Sequence, residues 1–166
     1  KAHMQYSGKK MQYFDPEINE HYVPYVVETS IGLDRMFLAV LTSSFKEETV
    51  SGGEHRIVLK IPPQIAPIKT AILPLTKKDN LPEKAKEILK SLQTDFNCIY
   101  EEKDSIGKRY RRQDAIGTPF CITVDHETLE NNTITLRNRD DMSQERVNIS
   151  DLKSIISEKT SISNLF

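Results

Sequence analysis

The residues best suited to chemistry stand at two places in the chain. The first is Lys108-Arg109-Tyr110-Arg111-Arg112, which with Lys103 sets five positive charges against the single negative charge of Asp104 within residues 103–112. Guanidinium forks match phosphate oxygens and base edges, and aromatic and guanidinium planes stack on unpaired bases, so this mixture suits nucleic acid. A solvated helix face has the same composition, and the cluster alone does not separate the two readings. Arg137, Arg139 and Arg146 extend the surface only if they share it, which sequence order does not decide. The second place holds Glu28, Ser30, Asp34 and Arg35 at a strand-to-helix junction. Backbone N–H groups at a helix start favour an anion, and a nearby Arg adds a phosphate contact. The plainer reading makes Ser30 a helix cap among ordinary polar neighbours.

Other chemistry is thinly represented. His3, His21, His55 and His126 are scattered without partner spacing, and Cys98 and Cys121 form no CxxC pair, so neither a zinc site nor a disulfide framework is expected. A reduced, cytoplasmic chain fits these thiols. The sequence contains no GxxxxGK[ST], GxSxG or HExxH signature.

The elements that must position these residues follow from periodicity. Residues 21–29 are aromatic and β-branched and read as a strand, with Pro24 restricting it to an edge. From Ile31 to Phe45, Leu33, Met36, Phe37, Val40 and Leu41 recur at helical spacing, and Leu38 and Ala39 widen the stripe until burial is expected. Residues 46–56 lose periodicity around Ser51-Gly52-Gly53, the composition of a linker, and Pro62-Pro63 leads into a second domain near Ala66. There, residues 68–75 read as a covered strand, and a helix opens at Asp79-Asn80-Leu81-Pro82-Glu83. A short strand follows at 97–101, then a helix from Ser105 to Gly117, which carries the basic cluster. Alternating residues at 120–124, 133–137 and 146–149 give three further strands, and a helix closes the domain from Asp151. The predicted order is β-α-β-α-β-β-β-α.

Composition bounds the function. The chain has 166 residues with 23 Lys+Arg and 24 Asp+Glu, a formal charge of 23 − 24 = −1, which excludes a globally basic nucleic-acid coat. With 37% hydrophobic and 28% charged residues, a folded core with polar appendages is expected rather than a disordered chain. No apolar run reaches the length of a membrane helix, and residues 1–10 do not resemble a secretory signal. The absence of an initiating Met and the turn-rich opening read as a piece of a longer chain.

At both chemical sites the residues resemble glycyl-tRNA synthetase of the class II type. Val23-Pro24-Tyr25-Val26-Val27-Glu28-Thr29-Ser30-Ile31-Gly32-Leu33-Asp34-Arg35 is similar to that family's third class II signature. Residues 105–120, from Ser105-Ile106-Gly107-Lys108 through Gly117-Thr118-Pro119-Phe120, resemble its anticodon-binding domain. Asp125, Leu129-Glu130-Asn131-Asn132-Thr133 and Arg137-Asn138-Arg139-Asp140 continue the likeness, which covers about Tyr6 to Ile156.

The resemblance implies an α/β fold: a compact anticodon-binding domain with a mixed, roughly five-stranded sheet and about three helices, preceded by a strand-helix remnant of the class II catalytic domain. It divides the chain into a catalytic remnant at 1–45, a linker at 46–65, the anticodon-binding domain at 66–158 and a tail at 159–166. The parent enzyme would join glycine to ATP and pass the glycyl group to glycine tRNA. Glu28 and Ser30 would line the glycine pocket, and Arg35 would contact ATP. Lys108, Arg109, Arg111 and Arg112 would hold tRNA, with Thr118, Arg137 and Arg139 beside them. The first and second class II signatures are missing, so this stretch alone is expected to be inactive and to bind no cofactor. ATP and Mg belong to the full-length enzyme, a cytoplasmic homodimer of translation with no DNA or membrane partner. The equivalent part of a threonyl, prolyl or histidyl enzyme, or an accessory protein reusing the domain, is the alternative.

Overall fold

A computed structural model describes residues 1–50 and 53–165. Ser51 and Gly52, at the centre of the expected linker, and Phe166, in the expected tail, lie outside the described residues. The chain divides into two compact units, Lys1–Met36 and Phe37–Phe166.

In the first unit, helix α1 (Ala2–Ser7) stops at Gly8, whose φ of 66° suits a residue without Cβ. Strands β1 (Tyr13–Asp15) and β2 (Glu20–Tyr22) pair antiparallel, and Tyr13 meets Tyr22 edge to face at 5.8 Å. The strand expected over residues 21–29 is therefore much shorter, because Pro24 lacks the N–H that would continue the ladder. Helix α2 (Leu33–Ser44), whose residues from Phe37 on belong to the second unit, starts later than expected: the Gly32 carbonyl accepts from the Met36 N–H, and Ser30 lies too far upstream to cap it. Leu33, Phe37 and Leu38 are 82%, 65% and 61% exposed, whereas the apolar stripe predicted a buried helix. Periodicity identifies a surface that needs cover, and the described residues do not provide it.

After α2, the second unit differs from the expected linker. Residues on both sides of 51–52 form a hairpin, β3 (Phe45–Thr49) against β4 (His55–Leu59), with Glu48 opposite Arg56. Arg56 and Val58 alternate inward on β4 while His55 and Ile57 face out, a strand pattern hidden by the polar start of the segment.

The sheet that follows contains β5 (Thr70–Pro74), β6 (Cys98–Tyr100), β7 (Phe120–Val124), β8 (Thr133–Asn138) and β9 (Gln144–Asn148) in the order β6-β5-β7-β8-β9. β5 runs parallel to β6 and β7, and the remaining pairs are antiparallel. Parallel neighbours require helical crossovers, which α3 (Leu81–Leu92) and α4 (Ile106–Ile116) supply. Ile72, Ile122 and Leu136 pack with Leu81, Ile88 and Leu92 of α3 and with Leu152 and Ile156 of α6 (Leu152–Lys159) on one face. Ala71, Leu73 and Cys121 meet Ile106 and Tyr110 of α4 on the other. Each large aliphatic side chain buried here contributes about 1.5–3 kcal/mol of transfer free energy. The mixed five-stranded α/β sheet is the one expected. The addition is α5 (His126–Asn131), a fourth helix of the domain, opened by a reciprocal cap between Asp125 and Thr128.

Candidate nucleic-acid interface

Helix α4 carries the basic cluster, and its rotation decides what each residue can do. Gly117, at φ 85°, ends it as expected. With about 100° between successive residues, Ile106, Arg109, Tyr110 and Gln113 turn inward, while Lys108, Arg111 and Arg112 remain accessible to different degrees.

Arg109 is buried. Its Nη1 donates to the carbonyls of Pro74 at 2.7 Å and Glu101 at 3.2 Å, and its Nη2 donates to that of Leu75 at 3.3 Å, so it ties the ends of β5 and β6 to the helix. Burial pushes this guanidinium below its ordinary pKa. Arg137 is also buried. It grips Asp114 with two bonds, of 2.8 and 3.0 Å, and its guanidinium lies 4.7 Å from the centre of the Tyr110 ring. Tyr110 in turn meets Thr123 Oγ1 at 2.6 Å. Thr118 is buried and donates to Gln113 Oε1 at 2.8 Å. Arg139, 1% exposed, donates to the carbonyls of Gly117 and Ile61, both at 2.8 Å, and to the Asp140 carboxylate.

Three residues reach the surface. Arg112 donates from Nε to Glu101 at 2.6 Å and from Nη1 to Asp104 at 2.9 Å. The Glu101 carboxylate, aided by Asp104, raises its pKa, and Arg112 holds Asp104 below the usual carboxylate range. Arg111 is held loosely, 3.4 Å from Glu54 and 3.8 Å from both Asp114 and the Met142 sulfur. Lys108 enters no ion pair among the described residues.

These side chains border an open depression of about 660 Å³, together with Glu54, Tyr110, Arg137, Met142 and Gln144. A wide cleft with solvent-accessible cations at its rim, buried cations behind them and an aromatic–guanidinium pair in its lining is suited to phosphate and to unpaired bases. The sequence reading did not include Glu54 or Gln144. Glu54 lies in the supposed linker, and only the register of β8 against β9 brings Gln144 opposite Arg137.

Glu28, Ser30 and Arg35 belong to the first unit, where all are exposed. Glu28 and Ser30 sit in the irregular stretch before α2, and Arg35 lies in its first turn. Among the described residues no group of three or more His, Cys, Asp or Glu could hold a metal ion, and no helix is long and apolar enough to cross a membrane.

A family comparison specifies the class of the α/β domain that carries this cationic depression. Residues 69–159, more than half the chain, match the model described as the anticodon binding domain, and the chain belongs to that family. It is 55% identical over 159 residues to a glycine–tRNA ligase of Clostridium acetobutylicum, covering 96% of this chain and 34% of that protein. The ligase of Chlorobaculum tepidum is 54% identical over 157 residues, covering 95% and 33%. That of Macrococcus caseolyticus is 51% identical over 159 residues, covering 96% and 34%. The chain thus spans about a third of the length of the curated relatives it matches.

Proposed function

We propose that the second unit reads the anticodon of a glycine tRNA, as the corresponding part of a glycyl-tRNA synthetase that works in the cytoplasm as a homodimer. The observation that carries this is the depression beside α4, open to solvent and bordered by Lys108, Arg111 and Arg112. Direct contact with tRNA falls to those three. Arg109, Thr118, Arg137 and Arg139 act from behind, holding the helix, the strand ends and the wall in place. In the full-length enzyme, Glu28 holds the glycine ammonium with Ser30 beside it, and Arg35 steadies ATP, whose Mg enters with its phosphates. The present stretch alone does not aminoacylate.

Titration of the chain with glycine tRNA, and with the same tRNA carrying replaced anticodon bases, at two salt concentrations, tests the reading. A preference for the intact anticodon at both concentrations is expected. Equal, salt-sensitive binding would reduce the cleft to a basic surface, and no binding would remove the assignment.

A further inference from the structure

The depression contains one feature that works against a purely electrostatic role. Glu54, just before β4, is the one acidic side chain lining it among the described residues. The other carboxylates around α4 are engaged at shorter distances. Glu101 accepts from Arg112 and Gln113, Asp104 from Arg112, and Asp114 from Arg56 and Arg137. Glu54 has a single long contact, 3.4 Å to Arg111, and its side chain is 76% exposed. A carboxylate offers about four lone-pair positions, so most of its acceptor capacity is open toward the cleft.

A carboxylate in a cleft for a polyanion repels phosphate and lowers affinity for every RNA alike. It favours binding only when it meets a donor. In an unpaired strand the strong donors on base edges are the exocyclic amino groups, and a carboxylate accepting from cytosine N4 is an established pairing. Uracil presents a carbonyl at the same position, which faces the carboxylate with like partial charge. Arg111 stands 3.4 Å from the same carboxylate, and the Tyr110–Arg137 pair lines the same depression.

We propose that Glu54 is a specificity-determining residue that accepts a hydrogen bond from the exocyclic amino group of an anticodon cytosine. The inference rests on the anticodon reading above. Glycine codons begin with two guanines, so the last two anticodon positions are cytosines. The residue stands outside the stretch matched by the anticodon-binding family, residues 69–159, so the hairpin takes part in recognition.

The test uses the 166-residue chain, as wild type, Glu54→Ala and Glu54→Gln, with stem-loop RNAs of the glycine anticodon arm. One RNA keeps both cytosines, and two others change one or the other to uracil. Dissociation constants are measured by fluorescence anisotropy at two salt concentrations. The wild type is expected to disfavour one uracil RNA by roughly tenfold, within the range one good base contact gives. Glu54→Ala is expected to reduce that preference below about twofold and leave preference at the other position intact. Glu54→Gln, whose amide can donate to the uracil carbonyl, narrows or reverses it. A preference that persists in both variants overturns the role of Glu54 while leaving the anticodon reading standing. So does an equal gain in affinity for all three RNAs, the signature of a merely repelling carboxylate. A wild type without any preference overturns the anticodon reading itself, and this inference with it.

Discussion

Asp114 and Arg137 meet in a fully buried, two-bonded ion pair, with side-chain exposures of 0% and 3% and N–O distances of 2.8 and 3.0 Å. Arg56 donates to the same carboxylate at 3.2 Å, so one anion on α4 balances guanidinium groups from the sheet and from the hairpin. Removing one member of a buried pair leaves an uncompensated charge, at a cost of about 3–5 kcal/mol. Asp114→Asn keeps the shape but weakens the balance, and Asp114→Ala removes it. Urea denaturation is expected to order the proteins wild type, Asn variant, Ala variant, from most to least stable. Equal midpoints would show that solvent compensates the two arginines.

Gly117 has φ 85°, and a Cβ added there would lie 3.1 Å from the Leu59 carbonyl oxygen and 3.4 Å from Ile61 Cδ1. Gly117→Ala therefore meets an unfavourable backbone conformation and a close neighbour together. A loss of about 1–3 kcal/mol is expected, with faster amide exchange at the end of β4 as its local signature.

Arg111 and Arg112 differ in commitment although they are adjacent. Arg111→Ala is expected to leave stability within about 0.5 kcal/mol and to lower the salt slope of tRNA binding by about one. Arg112→Ala breaks the contacts to Glu101 and Asp104 as well, so it should lower both affinity and thermal stability. Parallel binding and melting curves separate the two effects.

Arg146 donates to both oxygens of Asp125 and holds its carboxyl below the ordinary value of 3.8, with the Thr128 bonds adding to the effect. A carboxylate with a depressed folded-state pKa contributes stability fully above its unfolded value, and this is lost as pH falls through the folded value. Acid therefore removes the cap of α5 and the Arg146 contact together. Arg146→Gln should raise the Asp125 pKa, as read by NMR titration, and move the acid loss of α5 to higher pH.

Burial pushes the Cys98 thiol up to about 11 and the Cys121 thiol up to about 12. The thiolate is the nucleophile, so alkylation at pH 8 is expected to be very slow in the folded protein and rapid in denaturant. Fast labelling of Cys121 in the native state would mean that β7 opens locally.

Much of the sheet domain was legible because its signals are local. Pro82 and Glu83 mark the start of α3, Ser105 and Gly117 bracket α4, and alternation marks β7 and β8. The basic cluster was legible as composition but not as geometry. Read as one patch it has four interchangeable cations, while the helical period turns Arg109 into the interior, four residues ahead of the equally buried Gln113. Arg137 lies on β8 and Arg139 just past its end, and their partners Asp114, Gly117 and Ile61 are distant in sequence, so only the folded chain brings them together. The hairpin strands at 45–49 and 55–59 were concealed by the polar sequence between them, and α5 by its brevity, although the Asp125–Thr128 spacing was there to be read.

Arg139 spans the carbonyls of Ile61 and Gly117, and Arg56 reaches back to the carbonyls of Arg139 and Asp140. These four bonds stitch the hairpin to α4 and β8, and they decide where the chain can be cut. A module trimmed to the family boundary at residue 69 would lose Arg56 and Ile61, leaving Asp114 short of one cation and Arg139 short of one acceptor. For grafting onto another protein the transplantable piece begins at Phe45, so the inheritable module is larger than the family boundary at residue 69 suggests.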